Sequence, residues 1–166
     1  MKKINKKSIN TQYFKRSYFA LDGLWFAMVE KNFSLGEALK IDEEVWKVLP
    51  KIQAREVKKL LNLKKNTFSN FLDALKIKLE AEGYCYQERI IDKDLSLLIK
   101  KCPWYEIIKK SQREYLLPNN ICRIDFQTWV EEFHLSLKVK IGPCICKGNL
   151  NCEIYFTSED KKYKKH

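Results

Sequence analysis

TFSNFLDALKIKLEAEGYCYQERIIDKDLSLLIKK, residues 67–101, changes its hydrophobic period at Gly83. Before that glycine, Phe68, Phe71, Leu72, Leu75 and Leu79 fall at i, i+3, i+4, i+7 and i+11, the spacing of one helix face. Thr67 stands where a hydroxyl can cap the first turn. After the glycine, residues 84–91 and 95–101 are β-rich runs separated by Asp92-Lys93-Asp94, whose turn chemistry predicts an antiparallel hairpin. Strands therefore follow helices along the chain, which is the pattern of an α+β fold.

Working outward, residues 18–31 carry Phe19, Leu24, Trp25, Met28 and Val29 with helical spacing, and Phe26 and Ala27 widen the stripe until it runs nearly all round. Such a helix is expected to be deeply buried. Ser34-Leu35-Gly36-Glu37 has the form of a capping box and predicts a second helix through Leu39, Val45, Trp46 and Leu49. Pro50 predicts a kink or break before residues 52–61. On the other side of the hairpin, Cys102-Pro103 closes the second strand, and Pro103 suits the first turn of a helix carrying Trp104, Ile107 and Ile108. Residues 122–133 read as a helix with Phe126, Trp129, Val130 and Phe133 on one stripe, and residues 134–141 and 150–157 read as extended. The expectation is one α+β domain over residues 11–158, with N-terminal helices packed on a twisted antiparallel sheet, between basic tails at residues 1–10 and 159–166.

The formal charge of +11 suggests nucleic acid until it is divided along the chain. Lys2, Lys3, Lys6 and Lys7 supply four charges and residues 159–166 two more net, leaving five for everything between. Basicity concentrated in two tails fits solvated ends, and the lysines show no aromatic interleaving of the kind that stacks bases, so nucleic acid is left open without support. The first apolar run is interrupted by Asp22 and Gly23, unlike a signal peptide, and no stretch approaches the roughly 18 apolar residues of a membrane span. A cytoplasmic protein without membrane insertion is expected, with a homodimer left open.

In a reducing compartment six cysteines point to metal or redox chemistry sooner than to a disulfide framework. Five of them lie in the last 65 residues: Cys102, Cys122, Cys144, Cys146 and Cys152. If residues 144–146 are extended, Cys144 and Cys146 point to one face, Gly148 turns the chain, and Cys152 returns opposite them. Three sulfurs then meet, and Cys122, from the start of a helix that favours thiolate, or Cys102 supplies the fourth ligand of a tetrahedral zinc. The C-x-C-x5-C spacing belongs neither to a zinc ribbon nor to a ferredoxin run, so an iron–sulfur cluster, free buried thiols, a redox pair or a catalytic cysteine all stay open. Cys85 between Tyr84 and Tyr86 reads as a core residue, and His134 as a hydrogen-bonded strand-end residue or a completing ligand. Among the charges nearby, Arg113, Glu114, Arg123 and Asp125, the aspartate stands three residues after Cys122, one turn above it, where it could orient or act as a general base. The aromatics, Trp25, Trp46, Phe71, Trp104 and Trp129 among them, are core material that could also line a cavity for a small apolar molecule.

Cys144-x3-Gly148-x3-Cys152 followed by a strand resembles the close of the four-vinyl-reductase superfamily, over about the last 60 residues. That resemblance implies helices against a twisted antiparallel sheet, an apolar ligand cavity and a metal site at the cysteines. Lys101-Cys102-Pro103-Trp104, then Cys122-Arg123-Ile124-Asp125, then Gly148-x3-Cys152 are similar to the aminothiazoline-carboxylate hydrolase-like proteins. Leu21-Asp22-Gly23-Leu24-Trp25-Phe26 through Asp42-Glu43-Glu44-Val45-Trp46 is similar to their uncharacterised prokaryotic branch in particular. The same fold is implied, and hydrolysis of a small cyclic substrate would place Cys122, Asp125 or a metal-bound water in catalysis.

Overall fold

In the computed structural model, which describes residues 6–116 and 119–158, Thr67 caps the helix that the sequence marks most clearly. Its hydroxyl accepts the Asn70 N–H at 3.2 Å, and Gly83, at φ 82°, closes the helix by donating to the Leu79 and Glu80 carbonyls. This helix, α4 (Phe68–Glu82), follows α1 (Lys6–Asn32), α2 (Leu35–Trp46) and α3 (Leu49–Leu60). Two strands come next, β1 (Cys85–Ile91) and β2 (Asp94–Lys101), joined through Asp92 in the left-handed region at φ 56°. The chain continues through α5 (Pro103–Lys110), α6 (Asn119–Glu132), β3 (Leu137–Ile141) and β4 (Cys152–Ser158). The α+β class is as expected. The capping serine also holds: Ser34 Oγ accepts the Glu37 N–H at 3.1 Å at the start of α2.

The chain divides into two compact units, one ending at Glu44 and the other beginning at Val45. In the second, four antiparallel strands stand in the order β1-β2-β4-β3. Strand β2 alternates cleanly, with Leu95, Leu97 and Ile99 inward, and these pair in register with Phe156, Ile154 and Cys152 of β4. Against that face pack Phe71, Leu75 and Leu79 of α4, Phe126, Trp129, Val130 and Phe133 of α6, and Ala54 of α3. Phe71 lies edge-on to Phe133 and to Phe156, both at 5.7 Å between ring centres, and so joins two helices to the sheet.

The first unit corrects one expectation. Helix α1 starts at Lys6, so residues 6–10 of the basic N-terminal segment are helical, while residues 1–5 and the C-terminal tail at 159–166 lie outside the described residues. Phe19 and Phe26 are buried, whereas Leu24, Trp25 and Met28 are exposed. The near-continuous apolar stripe is thus two stripes on opposite sides of one helix, of which one is covered. Cys85 is a second correction: it is exposed, because β1 is an edge strand.

Candidate thiol and buried-charge site

Four segments bring cysteines to one end of the core. Cys102 caps α5 from the end of β2, Cys122 lies in the first turn of α6, and Cys152 starts β4 opposite Ile99. Cys144 precedes a short 3₁₀ turn (Ile145–Lys147) in the connection from β3. That connection is closed by backbone bonds from Gly142 N–H to the Glu153 carbonyl and from Glu153 N–H to the Pro143 carbonyl. At Gly142 a Cβ would come within 2.9 Å of the Tyr155 ring. Gly148, at φ 83°, turns the chain as expected, but residues 144–146 are not a strand. The 3₁₀ turn places the Cys144 and Cys146 sulfurs against each other, paired as a disulfide, where an extended segment would have set them side by side.

The Cys152 sulfur lies 3.6 Å from that of Cys144 and accepts the Ile145 N–H at 3.1 Å and the N–H of Cys146. Burial still leaves its thiol above the ordinary value. Cys102 is pushed up to about 11, first by burial and then by Cys152, although the Tyr105 and Trp104 N–H groups and the Tyr84 hydroxyl pull the other way. Cys122 is pushed further, by burial and then by Cys102, Asp125 and Cys152. These thiols therefore stay protonated at neutral pH. His134 is exposed, in a left-handed conformation just past the end of α6.

Behind the thiols lies a charge cluster that the sequence reading missed. Lys78, almost fully buried, bridges Glu82 at 2.6 Å and Asp125 at 3.0 Å, and the Trp104 indole donates to Glu82 at 2.9 Å. The Lys78 ammonium also stands 5.8 Å from the Phe126 ring centre and 6.0 Å from that of Trp129. Burial alone would lower Lys78, but Asp125 and Glu82 together lift it above the ordinary lysine range. Tyr84, beside Cys102 and Glu82, is raised by burial first and by those neighbours second. Asp125 is thus no surface charge. Its Oδ1 and the Trp129 Nε1, one helical turn apart on α6, are buried without a hydrogen-bond partner. The signal was present in the sequence, since Lys78 and Glu82 fall four residues apart on the apolar stripe of Phe71 and Leu75.

Burial raises Asp125 from 3.8 to about 6 against the pull of Lys78, with Glu82 adding to the rise. An acid so raised binds its proton more tightly folded than unfolded, so the stability tied to it is full below pH 4 and is lost as pH rises through about 6. Asp125→Asn cannot ionise. It should gain stability relative to the parent between pH 4 and 6.5, read as a rising Tm difference in parallel melts. A difference that stays flat with pH would show that Asp125 titrates as an ordinary carboxylate.

As to donor chemistry, two thiolates on one tetrahedral zinc lie about 3.8 Å apart for ~2.3 Å Zn–S bonds. The Cys144–Cys152 separation of 3.6 Å fits that edge. Among the described residues, no three His, Cys, Asp or Glu side chains are gathered as a ready ion site. The described groove, about 510 Å³ and open, lies elsewhere, between α6 and β3, lined by Arg123, Gln127 and residues 135–140. No helix among the described residues is long and apolar enough to cross a membrane.

A family model described as a family of unknown function, DUF6125, matches residues 4–153. No curated protein matches the sequence. Among solved structures, the chain is similar to a trafficking protein particle complex subunit 3 from Naegleria fowleri, crystallised covalently bound to palmitic acid. The TM-score is 0.54 at 16% identity, over 96% of this chain and 99% of that one. At that identity the likeness is one of fold.

Proposed function

Since the chain belongs to the family of unknown function DUF6125, we propose from its own site that it is a small-molecule-binding protein with a zinc–thiolate centre made by Cys102, Cys122, Cys144 and Cys152. The carrying observation is the convergence of Cys102, Cys122 and Cys152 from three separate elements, with Cys152 near enough to raise the other two thiols, Cys102 near enough to raise that of Cys122, and Cys144 at 3.6 Å from Cys152. Protonated buried thiols make poor nucleophiles, whereas a soft divalent ion displaces their protons and converts the cluster into a staple between α5, α6 and β4. The reading takes Cys144 in its reduced form. Cys146 contributes its backbone N–H to the Cys152 sulfur in place of a ligand. The apolar-ligand half rests on the shared fold, since the trafficking subunit holds palmitic acid covalently. A long-chain apolar molecule is the corresponding ligand class here.

Protein purified under reduction without added metal should carry about one zinc per chain. Cys122→Ser and Cys152→Ser should lose it and Cys146→Ser should keep it, with elemental analysis and native mass spectrometry as the readout. Zinc-free and iron-free protein whose thiols all titrate would remove the metal. Native spectra with no bound lipid-sized mass after extraction at low detergent would remove the ligand.

The second reading is a hydrolase of a small cyclic substrate, favoured by one observation: Asp125, raised to about 6, has a buried oxygen without a partner. In that role it would hold or release a proton near neutral pH. The binding reading needs four protein ligands and the enzyme an open position, so the ligand count separates them.

A further inference from the structure

We propose that Cys146 is a reversible oxidation site for peroxide, and that closing its disulfide to Cys144 takes that sulfur from the zinc centre and releases the metal. The inference rests on the zinc reading of these cysteines. Both arrangements use one sulfur. Cys144 is bonded to Cys146 in the structure and lies 3.6 Å from the Cys152 sulfur, close to the spacing of two thiolates on one ion. A sulfur held in a disulfide has no thiolate charge to give a metal, so the pairing and the centre exclude each other. Neither requires the backbone to be rebuilt. The Cys144 and Cys146 Cα atoms stand 5.3 Å apart, inside the ordinary span of a disulfide. The Cys144 carbonyl accepts the Lys147 and Asn149 N–H groups, and the Asn149 side-chain amide at 3.1 Å, so the turn is held by bonds that do not involve sulfur.

The zinc centre does not use the Cys146 thiol. The backbone N–H of Cys146 is directed at the Cys152 sulfur, but every residue except proline offers an N–H, so that contact gives no reason for a thiol at this position. Exposure orders the steps. Cys146 is half-buried and is followed by exposed Lys147, Gly148 and Asn149, whereas Cys144 is buried. Hydrogen peroxide therefore meets Cys146 first. Its sulfur attacks one peroxide oxygen, the O–O bond breaks, and the departing hydroxide leaves as water with the proton of the thiol. The Cys144 thiolate then attacks the sulfur of the Cys146 sulfenic acid, the S–O bond breaks, and hydroxide leaves as water on taking a proton from solvent. Sulfur is oxidised and peroxide reduced, and three thiolates remain where a closed zinc site needs four. Cys152 is the less suited partner for Cys144, because the Ile145 N–H, at 3.1 Å, and that of Cys146 hold its sulfur in place.

The test treats the reduced, zinc-loaded full chain with hydrogen peroxide, follows zinc release with pyridylazoresorcinol against untreated protein, and maps disulfides by peptide mass spectrometry. The Cys144–Cys146 disulfide should form and zinc should leave in equal amounts, and dithiothreitol with added zinc should restore the starting protein. Cys146→Ser keeps the backbone N–H; it should bind zinc as the parent does and release it under peroxide at least about tenfold more slowly. Because that variant could also fail to fold, the disulfide map of the parent provides an independent reading. Zinc retained by the parent while the Cys144–Cys146 disulfide forms would overturn the proposal, as would Cys146→Ser releasing zinc as fast as the parent. So would a map that pairs Cys144 with Cys152. A parent that binds no zinc before oxidation overturns the zinc reading and this inference with it, whereas a parent that binds zinc and keeps it through oxidation overturns this inference alone.

Discussion

Lys78→Met should cost about 3–5 kcal/mol, because it leaves two carboxylates buried without their cation. For a domain of this size that is a fall in Tm on the order of 10 °C or more. The Lys78 ammonium bridges Glu82 at 2.6 Å and Asp125 at 3.0 Å, and all three side chains are buried. Methionine fills the volume and packs against Phe126 and Trp129, so loss of packing contributes little and the measured cost reports the charges. A second variant isolates them: Lys78→Met with Glu82→Gln and Asp125→Asn removes every charge and keeps an acceptor for the Trp104 indole. It should recover most of the loss, since an isosteric neutral cluster is often as stable as the ionic one it replaces. Urea unfolding of the three proteins makes the comparison. A single variant within about 1 kcal/mol of the parent would show that solvent reaches the carboxylates and that the cluster is not dry.

The same cluster shows where reading the residues one element at a time runs out. Helix α4, its Thr67 cap, the Gly83 stop, the hairpin turn at Asp92 and the Pro103 start of α5 are all set by neighbouring residues, so each is legible in sequence. Lys78 has its reason in α6, some 47 residues later, and periodicity alone reads a lysine on an apolar stripe as an interruption. Cys122 and Asp125 are one turn apart in the sequence, but that Asp125 is buried follows from packing. The cysteine turn failed differently. Alternation assumed a strand at residues 144–146, whereas Gly148 tightens the chain into a 3₁₀ turn before it and moves the Cys146 sulfur onto Cys144. Helix α1 differs through excess: a stripe that is apolar nearly all round reads as deep burial, yet Phe19 and Phe26 are buried while Leu24, Trp25 and Met28 stand exposed.

Phe71→Ala should cost about 3–5 kcal/mol, with the effect spreading to the cysteines. The Phe71 ring is fully buried, edge-on to Phe133 of α6 and Phe156 of β4, and 6.3 Å from Phe68 between ring centres. Alanine leaves a space walled by two helices and a sheet, which can collapse only if all three move, so the cavity cost is expected near the top of its range. Phe68→Ala, one turn earlier and only half-buried, should cost about 1–2 kcal/mol by the area it removes from contact. The pair of variants thus separates cavity formation from helix propensity, which both change alike. Phe156, Ile154 and Cys152 share the inward face of β4, paired with Leu95, Leu97 and Ile99. Loosening Phe156 therefore loosens the strand that carries the Cys152 sulfur towards Cys144. In hydrogen exchange, amides of β4 in Phe71→Ala should lose more protection than those of the β1–β2 hairpin, whose turn lies outside the aromatic cluster. Equal loss across both would mean that the variant unfolds globally before β4 can part locally. Added zinc gives the decisive comparison under the thiolate reading, because an ion held by Cys102, Cys122, Cys144 and Cys152 ties β4 to α5 and α6 independently of Phe71. It should restore protection at residues 152–156 in Phe71→Ala and leave Phe71→Ala combined with Cys122→Ser unchanged.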